Sequence, residues 1–358
     1  SETRIEMTSE QKERRPIKIV ADKDIPFLQG ALEPYTEIIY KKGDDICRED
    51  LLDADALITR TRTICGEKLL SGTAVKAIAT ATIGTDHVDL KWCAANGIEV
   101  HNAPGCNAGG VMEYVFSALY GLAARKGLLL DGLRLGIVGV GHVGRRIEEM
   151  ARYLGFEVLL CDPPRAAAEG PEAFCSLEEL LDRSDIVSLH VPLQEDTANM
   201  AGEAFFSRMK PGSIFINASR GEVVDEQALL EYLPKFSGVI IDTWRNEPHI
   251  NRELLSKVDI ATPHIAGYSY QGKLNGTASV VRFIAGKFGI DALLDFYPGQ
   301  EAGHEAVKLD LSGMSQGRIA SILQYNYPIF TDDFMFRMDP AGFENLRNNY
   351  SYRREIYF

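Results

Sequence analysis

"LGIVGVGHVGRRIEEMARYLGFEVLLCD", residues 135–162, sets three glycines, Gly139, Gly141 and Gly144, between an apolar run and an amphipathic stretch. The order strand, glycine loop, helix, strand predicts a parallel β-α-β unit. A lone G-x-G-x-x-G says little. Here the second strand ends in Asp162, at the spacing a dinucleotide-binding unit requires. Each glycine has its own reason: Gly139 permits a tight turn, Gly141 lets backbone approach a pyrophosphate, and Gly144 lets helix and strand pack closely. The amides that open the helix, with His142 and Val143, are expected to hold that pyrophosphate. Asp162 is expected to accept from the adenosine ribose and to repel a 2′-phosphate, so the expected cofactor is NAD rather than NADP. Arg165, three residues on, argues the other way.

Outward from this stretch, short apolar runs alternate with helix-like segments. Strands are expected at 17–22, 55–59, 74–82 and 97–103, then at 157–162, 185–191, 213–219, 238–242 and 258–262, with one long helix over 107–127. Such alternation predicts parallel sheets with helices on both faces. The expected fold is α/β, with two doubly wound domains. A Rossmann-type NAD domain is expected at 108–267, and a flavodoxin-like substrate domain at 17–107 with 268–290. Residues 1–15 read as a disordered leader. Aromatics and arginines crowd 325–358, a composition found where subunits meet. Residues 291–358 are accordingly expected to form a small α+β module for homodimerisation.

The net charge of −13 argues against nucleic acid and anionic membranes as partners. No apolar run reaches the length of a membrane span. The six cysteines show no metal-ligand spacing, so no metal is expected and a reducing cytoplasm is.

Three strand ends in the NAD domain carry reactive groups: "NASRGEVVD" with Arg220, "IDTWRNEP" with Asp242 and Glu247, and "TPHIAGYSYQG" with His264. In open α/β sheets ligands bind beyond the carboxyl ends of strands, so these groups are expected to converge. Arg220 offers a planar fork for a carboxylate. His264 can take a hydroxyl proton, and Glu247 beside it would fix the tautomer and favour the imidazolium. Asp242 is expected to accept from the nicotinamide amide. This set is what oxidation of a 2-hydroxy acid requires. Asp225 reads as a helix N-cap, and His87 and His190 as structural histidines. In "LITRTRT", strand alternation would put Arg60 and Arg62 on one face, where Arg60 is suited to a substrate phosphate.

"GVGHVGRRI", "NASRGEVVDEQAL", "IDTWRNEP" and "TPHIAGY", in this order, resemble the D-isomer-specific 2-hydroxy acid dehydrogenases over about 17–290. The resemblance implies a catalytic set of Arg220, Glu247 and His264. A narrower likeness runs nearly end to end, through "GTDHVDLKWCAANGI", "APGCNAGGVMEYVFSAL" and "AGFENLRNNYSYRRE", to a branch of that family with an added C-terminal dimerisation domain. It implies oxidation of 4-phospho-D-erythronate at C2 in pyridoxal 5′-phosphate synthesis. It also implies substrate contacts at Thr61, Thr82 and Tyr268, and cofactor contacts at Asp242 and Gly267. Thr61 stands where that branch is expected to have serine, and Val191 where a threonine would touch the cofactor. Two alternatives stay open: a dehydrogenase for 3-phosphoglycerate or an unphosphorylated acid, and a non-catalytic NAD(H)-sensing protein.

Overall fold

The computed structural model describes residues 15–358. The leader read at 1–15 lies outside the described residues except for Arg15, which pairs with Asp55 at 2.7 Å. The chain divides into two compact units: residues up to Cys106 with Lys273–Gly299, and Asn107–Gly272 with Gln300–Phe358.

In the first unit, β1 (Lys18–Asp22), β2 (Glu37–Lys41), β3 (Ala56–Thr59), β4 (Ala77–Thr80) and β5 (Glu99–His101) form a parallel sheet in the order β2-β1-β3-β4-β5. Its inner strands are buried almost throughout, with apolar centres, because both faces are covered. Val280, Val281 and Ile284 of the helix Tyr270–Phe288 pack on one face. Leu51, Leu70 and Cys93 pack on the other. The sequence reading passes over β2. "EIIYK" is an edge strand paired only with β1, half-exposed, and so lacks the unbroken apolar run of its neighbours.

In the second unit, β6 (Arg134–Val138), β7 (Glu157–Cys161), β8 (Ile186–Leu189), β9 (Ile214–Asn217), β10 (Gly238–Ile241) and β11 (Ile260–Ala261) are parallel in the order β11-β10-β9-β8-β6-β7. The chain leaves β6 toward β7 on one side and later returns to β8 on the other. The carboxyl end of β6 is therefore the topological switch point, where such sheets bind ligands.

The helix Ala108–Lys126 is buried from Ala108 to Ala123. A helix apolar all round needs cover on every side. The C-terminal residues supply part of it. Leu311, Ile319, Leu323, Tyr327, Ile329 and Ile356 share one core with Val111, Tyr114, Val115 and Leu119. Gly121 admits Gln324 so closely that a β-carbon there would lie 2.7 Å from its Nε2. Residues 300–358 thus fold onto the second unit, whereas 291–299 lie in the first. Their small sheet, β12 (Val307–Lys308) with β13 (Ile356–Tyr357), is parallel. No described helix is long and apolar enough to cross a membrane.

Candidate active site

The glycine loop follows β6 directly. Gly139 has φ +89°, and a β-carbon on it would lie 2.6 Å from the His190 carbonyl oxygen. A β-carbon on Gly144 would lie 2.2 Å from the Gly139 oxygen. Gly141 has nothing within 4 Å of that position, so its side of the loop is open to a ligand. The helix His142–Tyr153 starts there, and its first residues, His142 and Val143, are exposed and half-buried. Asp162, just past β7, accepts from the Val140 amide at 2.9 Å and caps the next helix through the Arg165 amide at 3.0 Å. Its carboxylate is thereby fixed beside the loop. Arg165 is held by Glu169 at 2.7 Å and by the Val140 carbonyl at 2.9 Å. These features fit a dinucleotide: an open amide-lined turn, a helix start, and an anchored carboxylate. Val191 packs a methyl group where a β-carbon on Gly139 would meet it, 2.9 Å away.

The reactive groups sit on three neighbouring loops at the carboxyl ends of β9, β10 and β11. After β9, Asn217 Oδ1 accepts from the Ser219 amide at 3.0 Å, and its Nδ2 donates to the Arg220 carbonyl at 3.1 Å. This asparagine turn sets the backbone of Arg220. After β10, the Trp244 amide donates to Glu247 Oε1 at 2.9 Å. Glu247 Oε2 accepts from His264 Nδ1 at 2.8 Å. Burial acts to raise the Glu247 carboxyl, but His264 and the Trp244 amide outweigh it and hold it below its ordinary range. An ionised Glu247 has no proton to give, so Nδ1 carries the hydrogen and Nε2 of the neutral ring is the acceptor. His264 itself has φ +57°, and its amide donates to the Asp242 carbonyl at 2.8 Å.

Asp242 is 1% exposed. Its carboxylate accepts from Thr262 Oγ1 at 2.7 Å and from the Ile265 and Ala266 amides at 2.8 and 3.1 Å. In this structure it organises the His264 loop. Thr262 is a residue the sequence reading misses. It donates to Asp242 and so receives the hydroxyl of Tyr114, at 2.6 Å. No local pattern signals a partner 148 positions away. Gly267 is required by a close approach, since a β-carbon there would lie 2.4 Å from Asn107 Nδ2. Tyr268 stacks edge-on to Tyr350 at 5.8 Å and lies under the Arg347 guanidinium at 5.5 Å.

In the first unit, β3 ends at Thr59, so Arg60, Thr61 and Arg62 lie in a turn beyond it and the expected strand alternation stops short of them. Arg60 lies 3.5 Å from both Asp22 and Asp24. Thr61 is exposed. Thr82 pairs with Thr80 at 2.6 Å and donates to the Gly84 carbonyl at 2.9 Å. His87, 3.2 Å from the Thr80 hydroxyl, is buried and pushed down to about 4 by desolvation. His190 is likewise pushed down to about 3 by burial and is bonded to Ser188 at 2.7 Å. Both are neutral at pH 7. Asp225 caps its helix through the Ala228 amide at 3.2 Å.

The model of the family described as "D-isomer specific 2-hydroxyacid dehydrogenase, NAD binding domain" matches residues 118–266. An erythronate-4-phosphate dehydrogenase of Bacteroides fragilis is 41% identical over 346 residues, covering 95% of this chain and 97% of the relative. One of Escherichia coli O157:H7 is 42% identical over 352 residues, covering 95% and 92%. Among solved structures, a D-lactate dehydrogenase from Aquifex aeolicus, complexed with NAD and lactic acid, superposes with a TM-score of 0.66 at 28% identity, covering 79% of this chain and all of that one. A 3-phosphoglycerate dehydrogenase of Entamoeba histolytica with NAD+ bound gives 0.65 at 27%, covering 80% and 99%. With the glycine loop, the anchored Asp162 and the paired Glu247 and His264 in one unit, the chain belongs to the D-isomer-specific 2-hydroxyacid dehydrogenases and is an NAD-dependent dehydrogenase.

Proposed function

We propose that this protein oxidises 4-phospho-D-erythronate at C2 to 2-oxo-3-hydroxy-4-phosphobutanoate, a step of pyridoxal 5′-phosphate synthesis. The observation that carries the chemistry is the 2.8 Å pairing of His264 Nδ1 with Glu247, which leaves Nε2 to receive the hydroxyl proton. The named relatives at 41–42% identity support the substrate. NAD, when bound, supplies the hydride acceptor. Arg220 binds the substrate carboxylate and polarises the carbonyl as it forms. Gly139, Gly141, His142, Val143, Gly144 and Asp162 hold the cofactor, with Asp242 and Gly267 beside it. Thr61, Thr82 and Tyr268 contact the substrate.

The phosphate is assigned to Arg60. Its Nε and Nη2 make no hydrogen bond, although Asp22 and Asp24 hold the guanidinium in place. A charge-assisted bond contributes about 1.5–3 kcal/mol, so Arg60→Ala is expected to weaken binding of the phosphorylated acid about 10- to 150-fold. Tyr325, Phe334, Met335 and Met338 are exposed on the C-terminal helices, which supports a homodimer through that region. Light scattering on the purified protein reads its mass.

The testing experiment is NADH formation with 4-phospho-D-erythronate, beside 3-phosphoglycerate, D-lactate and unphosphorylated erythronate, with His264→Ala as the blank. A strong preference for the four-carbon phosphate, lost in the blank, supports the proposal. Equal or better turnover of another acid overturns the substrate assignment.

A further inference from the structure

The loop carrying His264 has its backbone polar groups engaged from two sides. On the amide side, His264, Ile265 and Ala266 all donate to Asp242, through its carbonyl and its two carboxylate oxygens. On the carbonyl side, the acceptors are filled from the far end of the chain. The His264 carbonyl accepts from Arg347 Nε at 3.3 Å. The Ile265 carbonyl accepts from Arg353 Nη1 at 3.0 Å, and that of Ala266 from Arg353 Nη2. The Arg353 side chain is 6% exposed, and its Nε donates to the fully buried Glu113 at 3.1 Å. Its guanidinium lies 4.2 Å from the centre of the Tyr327 ring. The paired glycines of "NAGGV" lie beside it. A β-carbon on Gly109 would collide with Glu355, and Gly110 gives its carbonyl to Arg353 at 3.1 Å.

His264 is not glycine, yet it holds φ +57°. Such a backbone costs free energy and persists only where its surroundings over-determine it. Asp242 reaches no further along the loop than the Ala266 amide, so the peptide that carries the Ala266 carbonyl is left to other donors. A guanidinium supplies donors in a fixed plane, so it sets both the position and the tilt of two successive carbonyls.

We propose that Arg353 is a positioning residue for the dehydrogenation: by bonding the Ile265 and Ala266 carbonyls it anchors the two peptides that follow His264, and with them the loop that aims Nε2. This rests on the reading of His264 as proton acceptor. The C-terminal segment therefore completes the catalytic loop of its own chain.

The test uses the full-length enzyme with NAD and 4-phospho-D-erythronate. Arg353→Lys keeps the charge opposite Glu113 but cannot bond both carbonyls in one plane. The pair Glu113→Gln with Arg353→Met removes the clamp without leaving a buried charge, which keeps the experiment readable if a single variant fails to fold. Because misplacement by 1 Å can cost about 100-fold, kcat is expected to fall about 100-fold in both, with NADH affinity and substrate KM nearly unchanged. Arg353→Ala is expected to regain activity with added guanidinium ion. Unchanged kcat in folded variants overturns the proposal. So does a kcat loss matched by equal losses of NADH affinity and melting temperature, without guanidinium rescue, since that is a purely structural role. Failure of the wild type on every acid offered would instead sink the proposed function.

Discussion

Gly221 faces Trp244 across a gap that admits no side chain. A β-carbon on Gly221 would lie 2.0 Å from the Trp244 carbonyl carbon and 2.5 Å from the Arg245 nitrogen. Backbone thus meets backbone between the loop bearing Arg220 and the loop bearing Glu247. Gly221→Ala is expected to push the two apart, destabilising the protein by about 1–3 kcal/mol as overpacking does. Denaturant melts read the stability, and kcat/KM is expected to fall with it. An alanine variant with wild-type stability and kinetics would show that the loops are not held by this contact.

Glu247→Gln tests the histidine pairing. The amide can still meet Nδ1, but it no longer fixes which ring nitrogen carries the proton or stabilises the imidazolium. General acid–base contributions run to about 10²–10⁴-fold, and kcat is expected to drop within that range. A change of less than a few-fold, with chemistry shown to be rate-limiting by a deuterium isotope effect at C2, would remove Glu247 from the mechanism.

The pH profile separates the same two groups. Glu247 is held below its ordinary range, so it stays ionised on acidification well past neutrality. The acid limb of oxidation is then not set by Glu247, and the group that accepts the hydroxyl proton must start without one. Activity is expected to rise with pH along that limb. Steady-state rates from pH 5 to 9 check this, and a flat profile with chemistry limiting contradicts it.

Asp162→Asn probes cofactor choice. The asparagine oxygen can still cap the helix at Arg165, but the charge that repels a 2′-phosphate is gone. Loss of an interaction with a charged group is worth about 1.5–3 kcal/mol, so preference for NAD over NADP is expected to shrink about 10- to 150-fold. Titrations with NADH and NADPH measure it. An unchanged ratio would mean that another residue reads the ribose.

Glu226 makes stability depend on pH. Burial pushes its carboxyl up to about 7, against the opposing Arg245 amide. The folded protein therefore keeps a proton that the unfolded chain releases, and stability falls as pH rises from about 4.5 to about 7. Glu226→Gln removes this dependence. At pH 8 the variant is expected to be more stable by about 1–3 kcal/mol, with little difference near pH 4. Urea melts at the two pH values decide it.

Much of this protein is written locally. The glycine loop, Asp162 and the alternation of apolar runs declare a parallel sheet with a dinucleotide turn, because tight turns and fully covered strands each demand particular residues in sequence. Arg220, Glu247 and His264 are visible as reactive groups at strand ends. β2 is not, since an edge strand needs no continuous apolar run. The strand expected at 55–59 does end at Thr59, but alternation carried on through "LITRTRT" does not reveal that Arg60 and Arg62 lie beyond it.

Only the tertiary structure decided what holds the His264 loop. The tail arginines read from sequence as an interface. In the folded chain, Arg353 is spent on Glu113 and on the carbonyls next to His264. Asp242 also binds the loop amides, a role its local sequence does not announce. Residue types and spacing fix secondary structure because those forces act over a few residues. Buried hydrogen bonds between positions 88 or 240 apart depend on where the whole core brings the chain, and no local pattern encodes that.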